Sequence, residues 1–423
     1  MRYINIRARY TLGTFARDAV KLSFGTALGR VIAFAALPLT ARLYTPEDFS
    51  VLAAFLALVS PLGVAACLRF EVAIPLARRQ KDAASLAILA LFSVIIFTAI
   101  TLLVTQIFSS AIASALNNQD FEKYLVLVPL SVFLVGTFSI LQSWATAKRR
   151  FASIAKARVW QATIGSGVTL SLGAVGLTPI GLLLGSIFNI GAGGIGLAIA
   201  AARKDRKQFL ALSANRVVKT CKSHLRYPLF SMPESLLNSA SLQLPVFIIA
   251  IRGGTEGGHL ALAMQILTIP MALIGQSISQ VYSSRLVEER RAGNLNFLTV
   301  SIMRRLLVFG GIPLFIFGLI APYTFEIVFG SEWIRSGEII LWMVPWITLQ
   351  LVASPVSIVI LAVGWQRAML LLTTFGLILR SLFVLAALKF DYPAPESLAV
   401  ASAIFYAITC TVVIHASRKN NKN

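Results

Sequence analysis

Long apolar segments recur along almost the whole sequence, and they constrain its fold more than any other feature. Many run for about 20 residues, the length with which an α-helix crosses roughly 30 Å of hydrocarbon. Of the 423 residues, 57% are hydrophobic and 13% are charged, whereas a soluble domain carries about 25% charged residues. Backbone groups inside a membrane need internal hydrogen bonds, which favours helices over open sheets. The sequence therefore predicts an all-α polytopic membrane protein.

We predict twelve transmembrane helices in two sets of six. Their bounds are 19–40, 50–75, 85–110, 124–146, 159–176, 180–201, 228–251, 260–283, 298–321, 338–363, 369–389 and 397–415. The resulting divisions are an N-terminal arm (1–18), a first lobe (19–201), a basic linker (202–227), a second lobe (228–415) and a tail (416–423). Similar loops, Thr45–Glu47 and Thr255–Gly257, follow the first span of each lobe. Such repeats are common in transporters.

The basic residues predict which side of the membrane each segment faces. The net charge of +21 would suit a nucleic-acid-binding protein, but Lys and Arg lie mainly in short segments between spans. With a cytoplasmic N-terminus, the positive-inside rule explains most of them, including Arg158 just before the fifth span. The exceptions are Arg42, Lys123, Arg252, Arg335 and Lys389. We therefore predict cytoplasmic termini, a retained basic arm rather than a cleaved signal peptide, and no nucleic-acid partner.

Motifs for catalysis, nucleotides or metals are not evident. Cys67, Cys221 and Cys410 form no CxxC pair, so we interpret them as reduced thiols without a metal. The GxGxxG match at 191–196 falls inside the sixth span, where no strand precedes it. Its glycines, like Gly25 and Gly29, are predicted to let helices pack closely. We expect no catalytic residue, no metal and no enzyme activity.

Three arginines, Arg30, Arg69 and Arg380, lie inside spans that are otherwise apolar. A charge in hydrocarbon is costly, so such a residue usually faces a polar cavity or a partner. Arg69 lies near a span end and could instead extend its charge to the surface. An ion pair with Glu71 or Glu234 is the structural alternative. We favour an anion-binding cavity, above all for Arg30 and Arg380.

Neutral polar residues within the spans extend this candidate cavity. Amide side chains suit hydrogen bonding to a sugar, although many such residues in membrane helices only link one helix to another. The candidates are Gln142, Asn189, Asn238, Gln243, Gln265, Gln276, Gln280 and Gln350. Cavity lining and helix-to-helix bonding both stay open for each of them.

Four segments resemble the oligosaccharide flippases of bacterial polysaccharide biosynthesis, which belong to the multidrug/oligosaccharidyl-lipid/polysaccharide exporter superfamily. The segments are TARLYTPEDFSVLAAFLALVSPLGVAACLRFEVAIPLA, RYPLFSMPESLLNSASLQLPVFIIA, ALAMQILTIPMALIGQSISQVYSSRLVEERRAG and FGSEWIRSG. The resemblance covers nearly the whole chain. It implies two six-helix lobes that form a V around a central cavity, and it carries no catalytic chemistry.

The resemblance also implies a function and a site. The expected function is transfer of undecaprenyl-diphosphate-linked repeat units from the inner to the outer leaflet of the cytoplasmic membrane, by alternating access. In such proteins, arginines on the first two helices contact the diphosphate or acidic sugars. Arg30 and Arg69 lie on helices that match those two, and Arg42 lies at the outer end of the first. Arg380 has no counterpart in the resemblance, so its proposed role follows only from the cost of a buried charge.

Energy source, partners and competing functions follow from the same resemblance. No cofactor is expected; coupling to H⁺ or Na⁺ and consumption of the product outside both stay open. Membrane lipids and the polymerase and chain-length regulator of the pathway are the expected partners. The alternatives are a lipid II flippase, a drug exporter, or a membrane polysaccharide polymerase or glycosyltransferase. The last needs outer acidic residues, but we interpret Glu47, Asp48 and Glu326 as helix-capping or interfacial.

Overall fold

A computed structural model describes residues 12–77, 79–109, 121–210 and 213–419, with side chains from Ser23 onward except at a few helical positions. The described residues form helices joined by short turns and contain no strand. The α-helices are α1 (Leu12–Leu43), α2 (Pro46–Ala66), α3 (Phe70–Ala73), α4 (Gln80–Ile107), α5 (Glu122–Leu125), α6 (Leu127–Ala147), α7 (Phe151–Ala174), α8 (Ile180–Leu210), α9 (Ala214–Ser223), α10 (Met232–Arg252), α11 (Glu256–Arg291), α12 (Leu295–Leu306), α13 (Ile312–Phe329), α14 (Ile334–Ala353), α15 (Ile358–Ala362), α16 (Gln366–Lys389) and α17 (Ala394–Lys419).

Several helices run on through short segments of different winding. π-helical turns at Tyr227–Ser231 and Leu307–Gly311 lead into α10 and α13. Short 3₁₀ turns at Ser331–Trp333 and Ser354–Val356 flank α14. Such turns extend a helical path without a loop, and this is how α12 and α13 together become one apolar span.

Ten of the described helical segments are long and apolar enough to cross a membrane. They coincide with ten of the twelve predicted spans, and the predicted polytopic all-α membrane protein is confirmed. Of the remaining two predicted spans, 159–176 is helical up to Ala174 in α7, and 260–283 lies within α11. The N-terminal half of α7 carries Lys156, Arg158 and Gln161, which interrupt its apolar residues.

The helices differ from the prediction in two places. The second span, predicted as one helix over 50–75, ends at Ala66 because Leu68 and Arg69 have positive φ values of 48° and 63°, which a right-handed helix excludes. The predicted linker 202–227 is not a loop for most of its length. Helix α8 continues to Leu210, and α9 follows over Ala214–Ser223. The first eleven residues of the predicted arm and the last four of the tail lie outside the described residues.

The described chain divides into two compact units. The first takes in the residues up to Thr40 and those from Val59 to Leu236, and the second takes in Ala41–Leu58 and everything from Leu237 onward. The predicted lobes and their boundaries stay predictions.

Glycines bring the helices of the first unit into backbone contact. A methyl group at Gly25 would overlap Ala155, and one at Gly29 would lie 2.8 Å from the carbonyl oxygen of Arg158. Gly193 makes a similar approach to the side chain of Gln161. The close packing predicted from these glycines is therefore present, and it fixes α1 and α8 against α7.

A buried ion pair joins α6, α7 and α8 at one end of the first unit. The Asp205 side chain is only 3% exposed. Arg150 donates from Nη1 and Nη2 to its two carboxylate oxygens at 2.7 and 2.8 Å, and Trp144 Nε1 donates at 2.9 Å. Bidentate, charge-assisted bonds of this kind are among the strongest that proteins form.

The second unit is built around α14, whose apolar residues Ile339, Ile340 and Met343 are fully buried. The first half of α2 packs into this unit through Phe49, whose ring centroid lies 4.9 Å from that of Trp333. The start of α2 is closed by a reciprocal cap. The Thr45 backbone N–H donates to the Asp48 carboxylate at 2.9 Å, and the Asp48 N–H donates to Thr45 Oγ1 at 3.3 Å. This confirms the predicted capping role of Asp48.

Gly258 at the start of α11 has no room for a side chain, because a methyl group there would overlap the Pro46 carbonyl. Since backbone must move to relieve the overlap, we expect Gly258→Ala to destabilise the protein by about 1–3 kcal/mol. Gly167→Ala in α7 is the matched control, because nothing lies within 4 Å of the added methyl group. Thermal unfolding in detergent should show a lower melting temperature for Gly258→Ala only. Equal melting temperatures would contradict the packing described here.

Candidate functional site

Arg30 projects from α1 beside the backbone contact between Gly29 and α7. The side chain is half-buried, and its Nη1 atom is buried without a hydrogen-bond partner among the described residues. A buried donor left unpaired costs free energy. The guanidinium of Arg30 is therefore able to accept an anionic ligand without first breaking an internal bond.

Arg158 lies on α7 and is the neighbour of Arg30. It donates from Nη2 to Gln142 Oε1 at 2.8 Å and from Nη1 to Gln161 Oε1 at 3.2 Å. Its Cζ lies 5.1 Å from the centroid of the Phe138 ring. Two amide oxygens and an aromatic face thus orient this cation without neutralising it.

The backbone of Arg158 lies against Gly29, so Arg30 and Arg158 are neighbours on two packed helices. Neither forms an ion pair within the described part of the chain. Sequence analysis assigned Arg158 to the cytoplasmic surface, but the structure places it about two turns inside α7, since the helix begins at Phe151. We call Arg30 and Arg158 the arginine pair. A pair of unneutralised cations between packed helices is suited to an anion with more than one charge.

Arg69 differs from the arginine pair because it has an acidic partner. Its Nη1 atom lies 3.4 Å from Glu71 Oε1, and the two side chains are 28% and 7% exposed. Arg69 Nε and Glu71 Oε2 are buried without hydrogen-bond partners in the described structure. The ion-pair alternative is therefore realised for Arg69, although two polar atoms of the pair stay available.

Arg380 on α16 is 1% exposed and lies in the second unit. Its Nε donates to Ser402 Oγ at 3.0 Å, and its Nη1 donates to Ser241 Oγ at 2.8 Å. The Phe405 and Tyr406 rings lie 4.3 and 5.5 Å from its Cζ. No carboxylate pairs with it among the described residues, so hydroxyl oxygens and aromatic faces stabilise this charge.

The other predicted candidates are distributed over both units. Arg42 is exposed in the second unit and donates from Nη2 to the Ile327 carbonyl oxygen at 3.1 Å, near the C-terminal end of α13. Glu234 accepts a 3.4 Å bond from Ser235 Oγ in the first unit, where Asn189 packs against Gly165. In the second unit Asn238 is exposed, and Gln243 and Gln265 are half-buried. The side chain of Gln276 lies outside those described.

A grouping of three or more His, Cys, Asp or Glu residues suited to a metal ion is not found among the described residues. The three cysteines are free thiols.

The fold is shared with solved structures of proteins that are described as flippases and transporters. The chain is similar to the lipid II flippase MurJ in an inward closed conformation, with a TM-score of 0.71, 15% identity, and coverage of 95% of this chain and 89% of that one. It is similar to a multidrug resistance MATE family transporter of the MOP superfamily, inward-facing, with a TM-score of 0.60, 14% identity, and coverage of 93% and 94%. A MOP superfamily transporter from Pyrococcus furiosus gives 0.59 at 17% identity, covering 96% and 95%.

The sequence profile of a family described as polysaccharide biosynthesis protein matches residues 39–338. The chain belongs to this polysaccharide biosynthesis family. No functionally curated protein has a matching sequence. The resemblance predicted from the sequence is confirmed at the level of this family, and the fold is the one shared with the solved structures above.

Proposed function

We propose that the protein flips undecaprenyl-diphosphate-linked oligosaccharide repeat units from the inner to the outer leaflet of the bacterial cytoplasmic membrane. The product would serve the synthesis of O-antigen, capsule or exopolysaccharide. The family membership supports a role in polysaccharide biosynthesis. The observation that carries the proposal is the arginine pair, two half-buried cations on neighbouring helices without an acidic partner in the described structure.

A diphosphate headgroup has the charge and geometry that such a pair can bind. Crossing the membrane removes water from several anionic oxygens, and that loss must be offset by protein donors. Guanidinium groups bind phosphate oxygens in a bidentate manner, which makes arginine better suited to this task than lysine. The free Nη1 of Arg30 supplies a donor, and Arg158 supplies a second charge held in place by Gln142 and Gln161.

The remaining candidate residues are proposed to bind the sugars of the lipid-linked unit, or to contact it from the second unit. We propose that the polar atoms of Arg69 and Glu71 that lack partners, and the amide of Asn189, bind the glycan on the first unit. The amides of Asn238, Gln243, Gln265 and Gln276 are proposed to bind it on the second unit. Arg380 and Arg42 are proposed as contacts of the second unit at another stage of an alternating-access cycle. Coupling to H⁺ or Na⁺, or consumption of the product outside, would drive the cycle with both termini in the cytoplasm.

The alternatives fit the described residues less well. A cationic drug would be repelled by the arginine pair, and Glu71, a buried acid of the first unit, is engaged by Arg69. A lipid II flippase shares the diphosphate headgroup, and the fold similarity to MurJ makes it the second candidate. A polymerase or glycosyltransferase would need a catalytic acid, whereas the outer acid Asp48 is used as a helix cap.

Deleting the gene in its host and analysing lipid-linked glycans on each leaflet tests the proposal. We expect complete repeat units to accumulate on the inner leaflet, while lipid II transfer and growth stay normal. Restoring the gene should clear the accumulated units. Units already on the outer leaflet but unpolymerised would indicate a polymerase. Arrested lipid II transfer would replace the proposal with the second candidate.

A further inference from the structure

The turn between α1 and α2 is held in the second unit by two hydrogen bonds that cap helix ends reciprocally. We call Ala41–Leu58, the part of this hairpin that belongs to the second unit, the hairpin tip. Trp333 Nε1, just after α13, donates at 2.8 Å to the Ala41 carbonyl oxygen in the last turn of α1. In return, Arg42 Nη2 donates at 3.1 Å to the Ile327 carbonyl oxygen in the last turn of α13. Such carbonyls have no partner within their own helix, so water can replace the protein donors when the tip moves away.

Trp333 is the centre of this contact and is only 1% exposed. Its ring centroid lies 4.9 Å from that of Phe49 in the tip and 5.7 Å from that of His259 in the first turn of α11. Ser50 in the tip also donates from Oγ to the Gly254 carbonyl oxygen at 2.6 Å. Because one tryptophan contacts both the tip and α11, a change at His259 is transmitted to the seat of the tip.

His259 is a buried titratable group that supports Trp333 from below. It is 7% exposed, and its Nδ1 atom forms a 3.2 Å hydrogen bond with Ser336 Oγ, which is fully buried. His259 lies in the first turn of α11 and Ser336 in the first turn of α14, and helix N-termini disfavour positive charge. Burial lowers the pKa of His259 below its ordinary value. The imidazole is therefore held in its neutral form while the tip is seated.

Charged groups on three elements face His259. Glu256 lies on α11 itself, Arg335 and Glu338 lie on α14, and Glu47 lies in the first turn of α2. Glu256 and Glu338 bind Arg335, so their attraction for a charged imidazole is opposed by that cation. The other acids on the neighbouring elements are Asp48, which caps α2, Glu332, which is exposed, and Glu396, which pairs with Arg335. A hydrated histidine has a pKa of about 6.5, so the seated form loses stability as the pH falls below that value, because the released form takes up the proton more readily.

We propose that the hairpin tip is a latch on the outer side of the membrane, released when His259 takes up a proton from outside. The charge distribution of the sequence places the α1–α2 turn and the start of α11 on that side. Release breaks the bonds that Trp333 and Arg42 make and frees the outer end of α1, the helix that carries Arg30. Control of transfer by the outside pH rests on the proposed function, whereas release of the tip does not.

The test follows the reactivity of a thiol in the tip of the full protein in nanodiscs. Ser50 is 5% exposed, so Ser50→Cys introduces a thiol that is protected while the tip is seated. Labelling by a water-soluble maleimide is measured by peptide mass spectrometry at pH 7.5 and 5.5, and is divided by the rate in unfolded protein at the same pH. We expect labelling up to about tenfold faster at pH 5.5, the ratio by which a group with a pKa of about 6.5 charges between these values.

Two further substitutions in the Ser50→Cys background separate the sensor from the latch. His259→Gln should remove the pH dependence, because an amide does not titrate but can still bond to Ser336. Trp333→Phe should label fast at both pH values, because the indole N–H that caps Ala41 is lost. His415→Gln is the matched control and should keep the pH dependence. His415 also lies beside a tryptophan, 5.6 Å from the Trp365 ring, but it is exposed near the opposite end of α17 from Glu396.

Three results would overturn the proposal. Equal labelling of the Ser50→Cys protein at both pH values would show that protons do not release the tip. Unchanged pH dependence in His259→Gln would exclude His259 as the sensor. Loss of the pH dependence in Asp48→Asn, but not in His259→Gln, would assign the sensor to the cap of α2. Because no substrate is present, the labelling result stands whether or not the gene deletion supports flipping.

Discussion

Two single substitutions, Arg30→Ala and Arg158→Ala, should each reduce the rate of glycan-lipid transfer about tenfold or more. Each substitution removes charge-assisted hydrogen bonds to the proposed diphosphate, and such bonds contribute about 1.5–3 kcal/mol. This corresponds to a factor of roughly 10 to 100 in affinity. Transfer is measured as the appearance of lipid-linked repeat units on the outer leaflet of cells in which each variant replaces the normal protein.

The double variant makes the prediction specific to a shared ligand. If Arg30 and Arg158 bind the same anionic group, removing both should cost less than the sum of the two single effects, because contacting residues are not additive. Lys156→Ala is the matched control. Lys156 lies two residues before Arg158 on α7 but is exposed, and it lines an apolar cavity of about 330 Å³ with Phe24 and Trp160 rather than the arginine pair.

Substitution by lysine separates charge from geometry. Arg30→Lys should retain part of the activity, because an ammonium group attracts phosphate but cannot form the bidentate bond. Normal transfer by the double alanine variant, at normal protein levels in the membrane, would remove the arginine pair from the mechanism. An equal loss in Lys156→Ala would show that general positive charge on α7, not the pair, is what matters.

Arg30 could be predicted from the sequence because it interrupts an apolar run, whereas Arg158 could not. Arg158 follows Lys148, Arg149, Arg150 and Lys156 closely in the sequence, and the positive-inside rule assigns such a cluster to the surface. The helix, however, begins at Phe151, so the end of this cluster lies about two turns inside α7. One feature of the sequence does indicate a site for Arg158. Gln161 lies three residues later and therefore on the same helical face, where it can orient the guanidinium.

The break in the second span also lies beyond what the pattern of residues shows. Cys67, Leu68 and Arg69 include neither glycine nor proline, the residues that normally mark a left-handed turn or a helix end. For Arg380, the depth in the span was predictable, but its partners were not. Ser241 and Ser402 come from α10 and α17, 139 and 22 residues away in the sequence, and only tertiary packing brings them together.

Asp205→Asn should be the most destabilising change in the first unit, with an expected loss of about 3–5 kcal/mol, the range found when one partner of a buried ion pair is removed. Arg150 would keep its charge without a counterion, and Trp144 would lose a charged acceptor. Thermal unfolding in detergent should show a large fall in melting temperature. Asp82→Asn is the matched control in the same unit, because Asp82 and Arg216 form a 3.2 Å pair whose side chains are 32% and 31% exposed.

The contrast between the two carboxylates tests whether burial sets the strength of these pairs. An exposed pair contributes about 0–1 kcal/mol, since water and salt screen it, so Asp82→Asn should change the melting temperature little. Replacing Asp205 and Arg150 together by leucine and methionine should recover part of the stability lost in Asp205→Asn, because no buried charge then lacks a partner. If both asparagine variants unfold at the same temperature, the junction of α6, α7 and α8 does not depend on this ion pair. Since α7 also carries Arg158, a loosened junction should lower glycan transfer at temperatures where the protein is still folded.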